Sequence, residues 1–294
     1  MSAMRILACF KVTPDYEALR ESEWAAGAAP STGATGGSNA TGAADAPLGV
    51  DTRYVRRILN CFDESALELA LRLSDSLTEL GGTADLGALS VGAPDAEPHL
   101  KTLLALGFAR AARVHTEAAL DFAPAVTAAL ITAYARRIDR SDLLMLGARS
   151  DPGDGGTVPF RIAEDLGWPC LTQVTEVGPL ADGRLRVTLM TDGGLLRLTA
   201  RTPCVLAIGN AVVSHLRVPT LTDRLAVRDK QPAVLDPADL DVDVAEELCR
   251  ETSSLVALES IDRRRQSMVV PGDTPHAKAQ ALFDLRLKSL LEEL

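Results

Sequence analysis

Short apolar runs alternate, along the first half of the chain, with stretches in which apolar residues recur every three or four positions. RILACF (5–10), nearly free of polar side chains, predicts a strand covered on both faces. FDESALELALRLSDSLTEL (62–80) places Ala66, Leu67, Ala70, Leu71, Leu73, Leu77 and Leu80 on one helical face, with Gly81 and Gly82 as a stop. A strand at 84–91, a helix at 95–107 closed by glycine, a strand at 111–116, a helix at 123–138 and a fourth strand at 142–147 follow. That rhythm predicts an α/β fold with a doubly wound, mostly parallel sheet.

The pattern changes after Pro169. CLTQVTEVG (170–178), GRLRVTLMTDGGLLRLTA (183–200) and PCVLAIG (203–209) predict successive strands joined by tight turns at Asp182-Gly183 and at 192–194, read as antiparallel additions at the sheet edge. Past Gly209 the periodicity fades, and 231–275 mixes Pro, Asp and isolated apolar positions. Helical spacing returns at Ala277, Ala281, Leu282, Leu285 and Leu290. The expected organisation is one α/β domain over 1–230, then an extended arm with a terminal helix over 231–294, of the kind that packs on its own domain or a partner. Residues 25–49 are low-complexity Ala, Gly, Ser and Thr, too poor in apolar surface to order alone, and predict a mobile insertion between the first strand and first helix.

Charge and cysteine usage narrow the class. Forty acidic against 30 basic residues give a net charge of −10 over 294 residues, which argues against a duplex nucleic-acid surface built of clustered Lys and Arg. Five scattered cysteines and four dispersed histidines show no paired spacing. A metal site or disulfide framework is therefore not expected, and a reducing, cytoplasmic setting is. MSAMRILACF meets charge too early for a signal peptide, and no apolar run approaches the ~18–20 residues of a membrane span.

In an open parallel sheet, ligands bind beyond the carboxyl ends of the strands where strand order reverses. The loop after the first strand and GARSDPGDGGTV (147–158) are expected to converge there, with SVGAP (90–94) nearby. Glycines at 147, 153, 155 and 156 let backbone amides approach an anion, and a helix starting near Val158 would aim its amide end at the same place. The loop is neither the G-x-G-x-x-G of dinucleotide oxidoreductases nor a P-loop, and a plain surface turn is its structural alternative. Asn60, with Asp63 and Glu64 in the first turn, reads as a helix cap, and Phe62 as an aromatic facing either core or a ring-shaped ligand. No G-x-S-x-G and no Lys or His cluster advertises hydrolytic or adenylate-transfer chemistry.

Taken in order, the strand followed by K-x-x-x-D-Y (11–16), N-x-F-D-E-x-A-L-E-x-A-L (60–71), S-V-G-x-P with L-x-x-G-x-x-x-A, and V-P…A-E-x-L-G-W-P (158–169) resemble the β subunit of electron transfer flavoproteins, from Arg5 to about Lys230. The resemblance implies a Rossmann-like domain that pairs with an α subunit. The heterodimer's redox FAD is then held mainly by that α subunit, and the β subunit holds AMP or, in electron-bifurcating members, a second FAD. It implies nucleotide contacts at Cys9, at Asn60, Cys61, Phe62 and Asp63, at Val91, and at Gly147, Asp154, Gly155, Gly156, Thr157 and Val158. Tyr16 and Phe62 match positions facing the flavin, and Arg217, Thr220 and Leu221 match a loop that meets partner dehydrogenases, from which electrons pass to a quinone oxidoreductase. The protein implied is an electron carrier without catalytic residues. The phosphate loop departs from the family pattern in reading Thr157, Val158, Pro159 and in thinning an Asp cluster to Pro152, Gly153, Asp154. The residues alone support an adenine-nucleotide-binding α/β domain, which leaves a stand-alone sensing module as the second reading.

Overall fold

The structure, a computed structural model, describes residues 3–19, 52, 54–118, 120–151, 155–249 and 267–292. The insertion expected at 25–49 and the candidate Asp154 lie outside the described residues. What is described falls into two compact units, 3–249 and 267–292.

The first unit opens with β1 (Met4–Phe10), beyond whose tip β2 (Val12–Pro14) and β3 (Arg57–Leu59) form a small antiparallel pair. Then α1 (Cys61–Glu79) leads to β4 (Ala84–Gly92), α2 (Glu97–Ala105) to β5 (Arg110–His115), α3 (Pro124–Tyr134) to β6 (Leu143–Gly147) and α4 (Val158–Leu166) to β7 (Cys170–Pro179). β8 (Leu185–Thr191) and β9 (Gly194–Ala200) follow as a hairpin, then β10 (Cys204–Ile208), α5 (Leu221–Ala226), β11 (Ala233–Leu235) and α6 (Val244–Cys249). The large sheet has the order β11-β5-β4-β1-β6-β10-β7-β8-β9. Only the β7–β8 and β8–β9 pairings are antiparallel. The fold is the predicted α/β, Rossmann-like doubly wound sheet, with antiparallel strands at one edge.

Alternation along β1 divides the core. Ile6, Ala8 and Phe10 pack with α1 and α2 on one face, while Leu7 and Cys9 pack with α3 and α4 on the other. β6 repeats this with Leu143 and Met145 against Leu144 and Leu146. Strands buried on both faces have no polar side to display, which is why they read as continuous apolar runs.

Two expectations need correction. PCVLAIG is not an antiparallel edge addition: β10 is fully buried and runs parallel between β6 and β7. Its unbroken apolar run is the mark of a strand covered on both faces, and the D-G turns apply only to its neighbours. The segment expected to leave the domain at 231 instead adds β11 to the sheet, parallel to β5, and buries Leu240 completely. A three-residue strand and one anchoring leucine are too short to show a period.

The second unit comprises α7 (Pro275–Leu282), a wider turn at Phe283–Leu287 and α8 (Lys288–Glu292). Thr274 caps α7 by accepting the Ala277 amide at 3.2 Å. No described side chain of this unit is fully buried, and Leu282, Phe283, Leu285, Leu287 and Leu291 are exposed.

Candidate functional site

The chain runs from β1 outward to β4 and β5, then returns to β6 on the other side of β1. Connections diverging in this way open a crevice beyond the strand ends. A cavity of about 340 Å³ lies there, within the roughly 300–1,000 Å³ typical of small-molecule sites. Its walls are Cys9–Lys11 at the tip of β1, Val91 of β4, Leu120–Phe122 with Pro124 and Thr127 entering α3, Leu146–Ser150 leaving β6, and Gly155–Pro159 with Arg161 at the start of α4; Asp63 reaches it from α1.

Asp63 sets the spacing of the crevice. One carboxylate oxygen accepts the Lys11 amide at 2.9 Å and the other accepts the Gly147 amide at 2.6 Å, so one side chain bridges the ends of β1 and β6. Burial pushes its carboxyl up to about 6, against the lowering pull of those two amides and the Asn60 side chain, and it is mostly ionised at neutral pH. The close approach demands glycine at 147: a Cβ there would lie 2.6 Å from Asp63 Oδ1 and 2.8 Å from Phe62 Cβ.

The Asn60 side chain does not cap α1, although the residue occupies the capping position. Its backbone amide donates to the Lys11 carbonyl at 3.0 Å, and Nδ2 donates to the Arg149 carbonyl at 2.8 Å, tying the loop after β6 to the helix start. The first turn of α4 leaves backbone donors without intrahelical partners, and Pro159 sits where a missing N–H costs little. Gly156 has φ +61°, and a Cβ there would meet the Ala148 carbonyl at 3.1 Å. The loop thus folds back on the end of β6 in a conformation that glycine adopts readily. Lys11, Arg149 and Arg161 bring positive charge to the walls, while Val91, Leu120, Phe122, Pro124 and Leu146 form an apolar side. Such a site suits a ligand with a flat apolar part and an anionic end. No histidine lines it, and the described residues hold no cluster of three or more His, Cys, Asp or Glu able to bind a metal ion.

The structure brings Cys9, Asp63, Val91, Gly147, Gly155, Gly156, Thr157 and Val158 to this one cavity. Asn60, Cys61 and Phe62 do not line it. Cys61 is exposed, and the Phe62 ring carries the Arg149 guanidinium 5.6 Å from its centroid. Tyr16 is half-buried in the short turn after β2, and burial and then the Asp121 carboxylate push its hydroxyl up. Sequence reasoning did not single out Lys11, Arg149 and Ser150 within the loops it expected to converge, and it missed Leu120–Phe122, Pro124, Thr127 and Arg161 as cavity residues. The DFAP stretch was findable, since it also leaves a strand's carboxyl end; it lacks the glycines that advertise a loop.

Arg217 is held within the chain. Its guanidinium makes hydrogen bonds to both Glu68 carboxylate oxygens and to Asp75, and its amide donates to Glu68 at 3.0 Å. Thr220 and Asp223 form a reciprocal capping box at the start of α5. Val218 and Leu221 beside them are 81% and 72% exposed.

Fold and cavity together define an α/β domain with a cavity of ligand size at the switch point of its sheet. A family model of the electron transfer flavoprotein domain matches residues 48–239, and the chain belongs to that family. It is 31% identical over 291 residues to YgcR of Escherichia coli K12, provisionally named an electron transfer flavoprotein subunit, with 98% of this chain and all of that one covered. It is 29% identical over 189 residues to electron transfer flavoprotein subunit beta of Bacillus subtilis 168, covering 63% and 70% of the two chains. The Mycobacterium tuberculosis H37Rv subunit beta is 27% identical over 204 residues, covering 68% and 74%. The chain is thus an electron transfer flavoprotein subunit. No helix among the described residues is long and apolar enough to cross a membrane.

Proposed function

We propose that the chain is the β subunit of a heterodimeric electron transfer flavoprotein, which binds AMP and docks an α subunit holding most of the redox FAD. In this reading it is a cytoplasmic electron carrier, not an enzyme, and helps to pass electrons from dehydrogenases to a quinone oxidoreductase. The carrying observation is the cavity between β1 and β6, found in a chain of this family. Its apolar side suits an adenine ring, and the Gly155–Val158 backbone with the start of α4 suits a phosphate. FAD bound in the heterodimer supplies the electron-accepting chemistry; Tyr16 and Phe62 are the residues assigned to face it. Exposed Val218, Leu221 and Leu225, on a segment anchored through Arg217, support dehydrogenase contact there. The exposed leucines and Phe283 of the second unit support docking of the α subunit.

The test is to denature the purified protein and identify what it releases by chromatography with mass detection. AMP in near one-to-one amount, with a flavin-bearing partner co-purifying, is expected. Flavin in this subunit's own site would make it the bifurcating type, and a colourless homodimer releasing ATP would make it a stand-alone sensor. Release of no nucleotide would overturn the proposal.

A further inference from the structure

Lys11 stands where three loops of the cavity rim meet. Its amide and carbonyl are fixed by Asp63 and by the Asn60 amide. Its ammonium lies 2.7 Å from Asp121 Oδ1, on the loop between β5 and α3, and donates to the Asp151 carbonyl at 2.9 Å, on the loop leaving β6. The Lys11 and Asp121 side chains line the cavity yet remain 29% and 50% exposed. The tie therefore joins the loop of the apolar side to the loop that precedes α4, and its partial exposure puts it at the solvent side, or mouth, of the cavity.

We propose that the Lys11–Asp121 pair is a size and charge filter that selects a nucleoside monophosphate over a diphosphate or a dinucleotide. The inference rests on the adenine-nucleotide reading and assigns its specificity. A ligand that seats its ring on the Leu120–Phe122 side and its first phosphate at the start of α4 can carry further phosphates only out through the mouth. A second phosphate arriving there competes for Lys11. If it takes the ammonium, it leaves Asp121 uncompensated beside an anion, and that like-charge repulsion is expected to weaken binding about tenfold. A monophosphate ends before the mouth and leaves the tie in place.

Equilibrium titration of the purified protein, stripped of any co-purified nucleotide, with AMP and ADP tests this. The wild type is expected to bind AMP at least about tenfold more tightly than ADP. Asp121→Asn, which keeps the side chain's shape and frees Lys11 for the second phosphate, is expected to bring ADP to within about threefold of AMP. Asp121→Glu, keeping the charge, is expected to retain the preference. Equal affinities in the wild type, or an undiminished preference in Asp121→Asn with AMP binding intact, overturn the filter and leave the nucleotide reading standing. Absence of adenylate binding altogether overturns both.

Discussion

The two ends of the parallel sheet both carry opposed charges, and they use them differently. At the amino end, Arg110 opens β5 with its Nε 2.7 Å from Asp139 Oδ1, pairs also with Asp85, and Ser141 donates to the same Asp139, which is completely buried. The Arg5 amide donates to Asp142 at 3.0 Å beside them. There the charges close on one another. At the carboxyl end, Asp63 draws two strand-end amides inward and leaves a cavity between them. The difference follows from chain direction. β4, β5 and β6 lead at this end into the starts of helices, where backbone donors lack partners and attract an anion, whereas at the other end helices finish in carbonyls that the chain's own cations can serve.

Substitutions at each end sharpen that contrast. The largest effect is expected at the amino end, where Arg110→Met leaves the buried Asp139 carboxylate without its cation. Urea unfolding should show a loss of about 3 kcal/mol, with nucleotide content unchanged. A concurrent loss of nucleotide would mean that the two ends are not independent.

At the carboxyl end, Asp63 binds a proton in the folded chain at pH values where the unfolded chain has already released it, because its folded carboxyl is raised from 3.8 to about 6. The contribution of this group to stability is therefore greatest below about pH 4, falls as pH rises to about 6 and is level above that, a span of about 3 kcal/mol. Asp63→Asn should remove this component from a plot of unfolding free energy against pH. An unaltered slope between pH 4 and 6 would show that another group carries it.

Gly147→Ala sets a methyl against Asp63 and Phe62, and overpacking of this kind should cost about 2 kcal/mol and reduce nucleotide content as well. Stability loss with full nucleotide occupancy would separate the strand bridge from the site. Smallest in stability is Gly156→Val, which strains a positive-φ position and crowds the anion loop. Nucleotide affinity should fall at least about tenfold, or 1.4 kcal/mol, while circular dichroism stays close to the wild type. Unchanged nucleotide content would discard the loop as a cradle.

Much of this was legible along the chain. The periods of RILACF, FDESALELAL and DLLML are those of the strands and helix they form, and the Gly155–Val158 loop does return to the tip of β1. Less legible were the residues whose meaning is a partner far away. Asn60 reads as a cap by its position and turns instead to a carbonyl 89 positions on. Phe62 reads as an aromatic facing either core or a ring-shaped ligand, and no local pattern foretells that the Arg149 guanidinium stands over its ring. Lys11 reads as the first polar residue after a strand, and nothing local foretells that its ammonium joins Asp121 to Asp151.

The sequence by itself determined the alternation of elements, the parallel sheet and the place where a ligand would be sought, because hydrophobic period and glycine spacing act locally and survive in one dimension. Tertiary structure alone decided that β10 lies inside the sheet between β6 and β7, that β11 joins the sheet, and which charges line the cavity. Those outcomes depend on strand neighbours and on salt bridges between loops remote in the chain, and such contacts leave no periodic trace in the residues that make them.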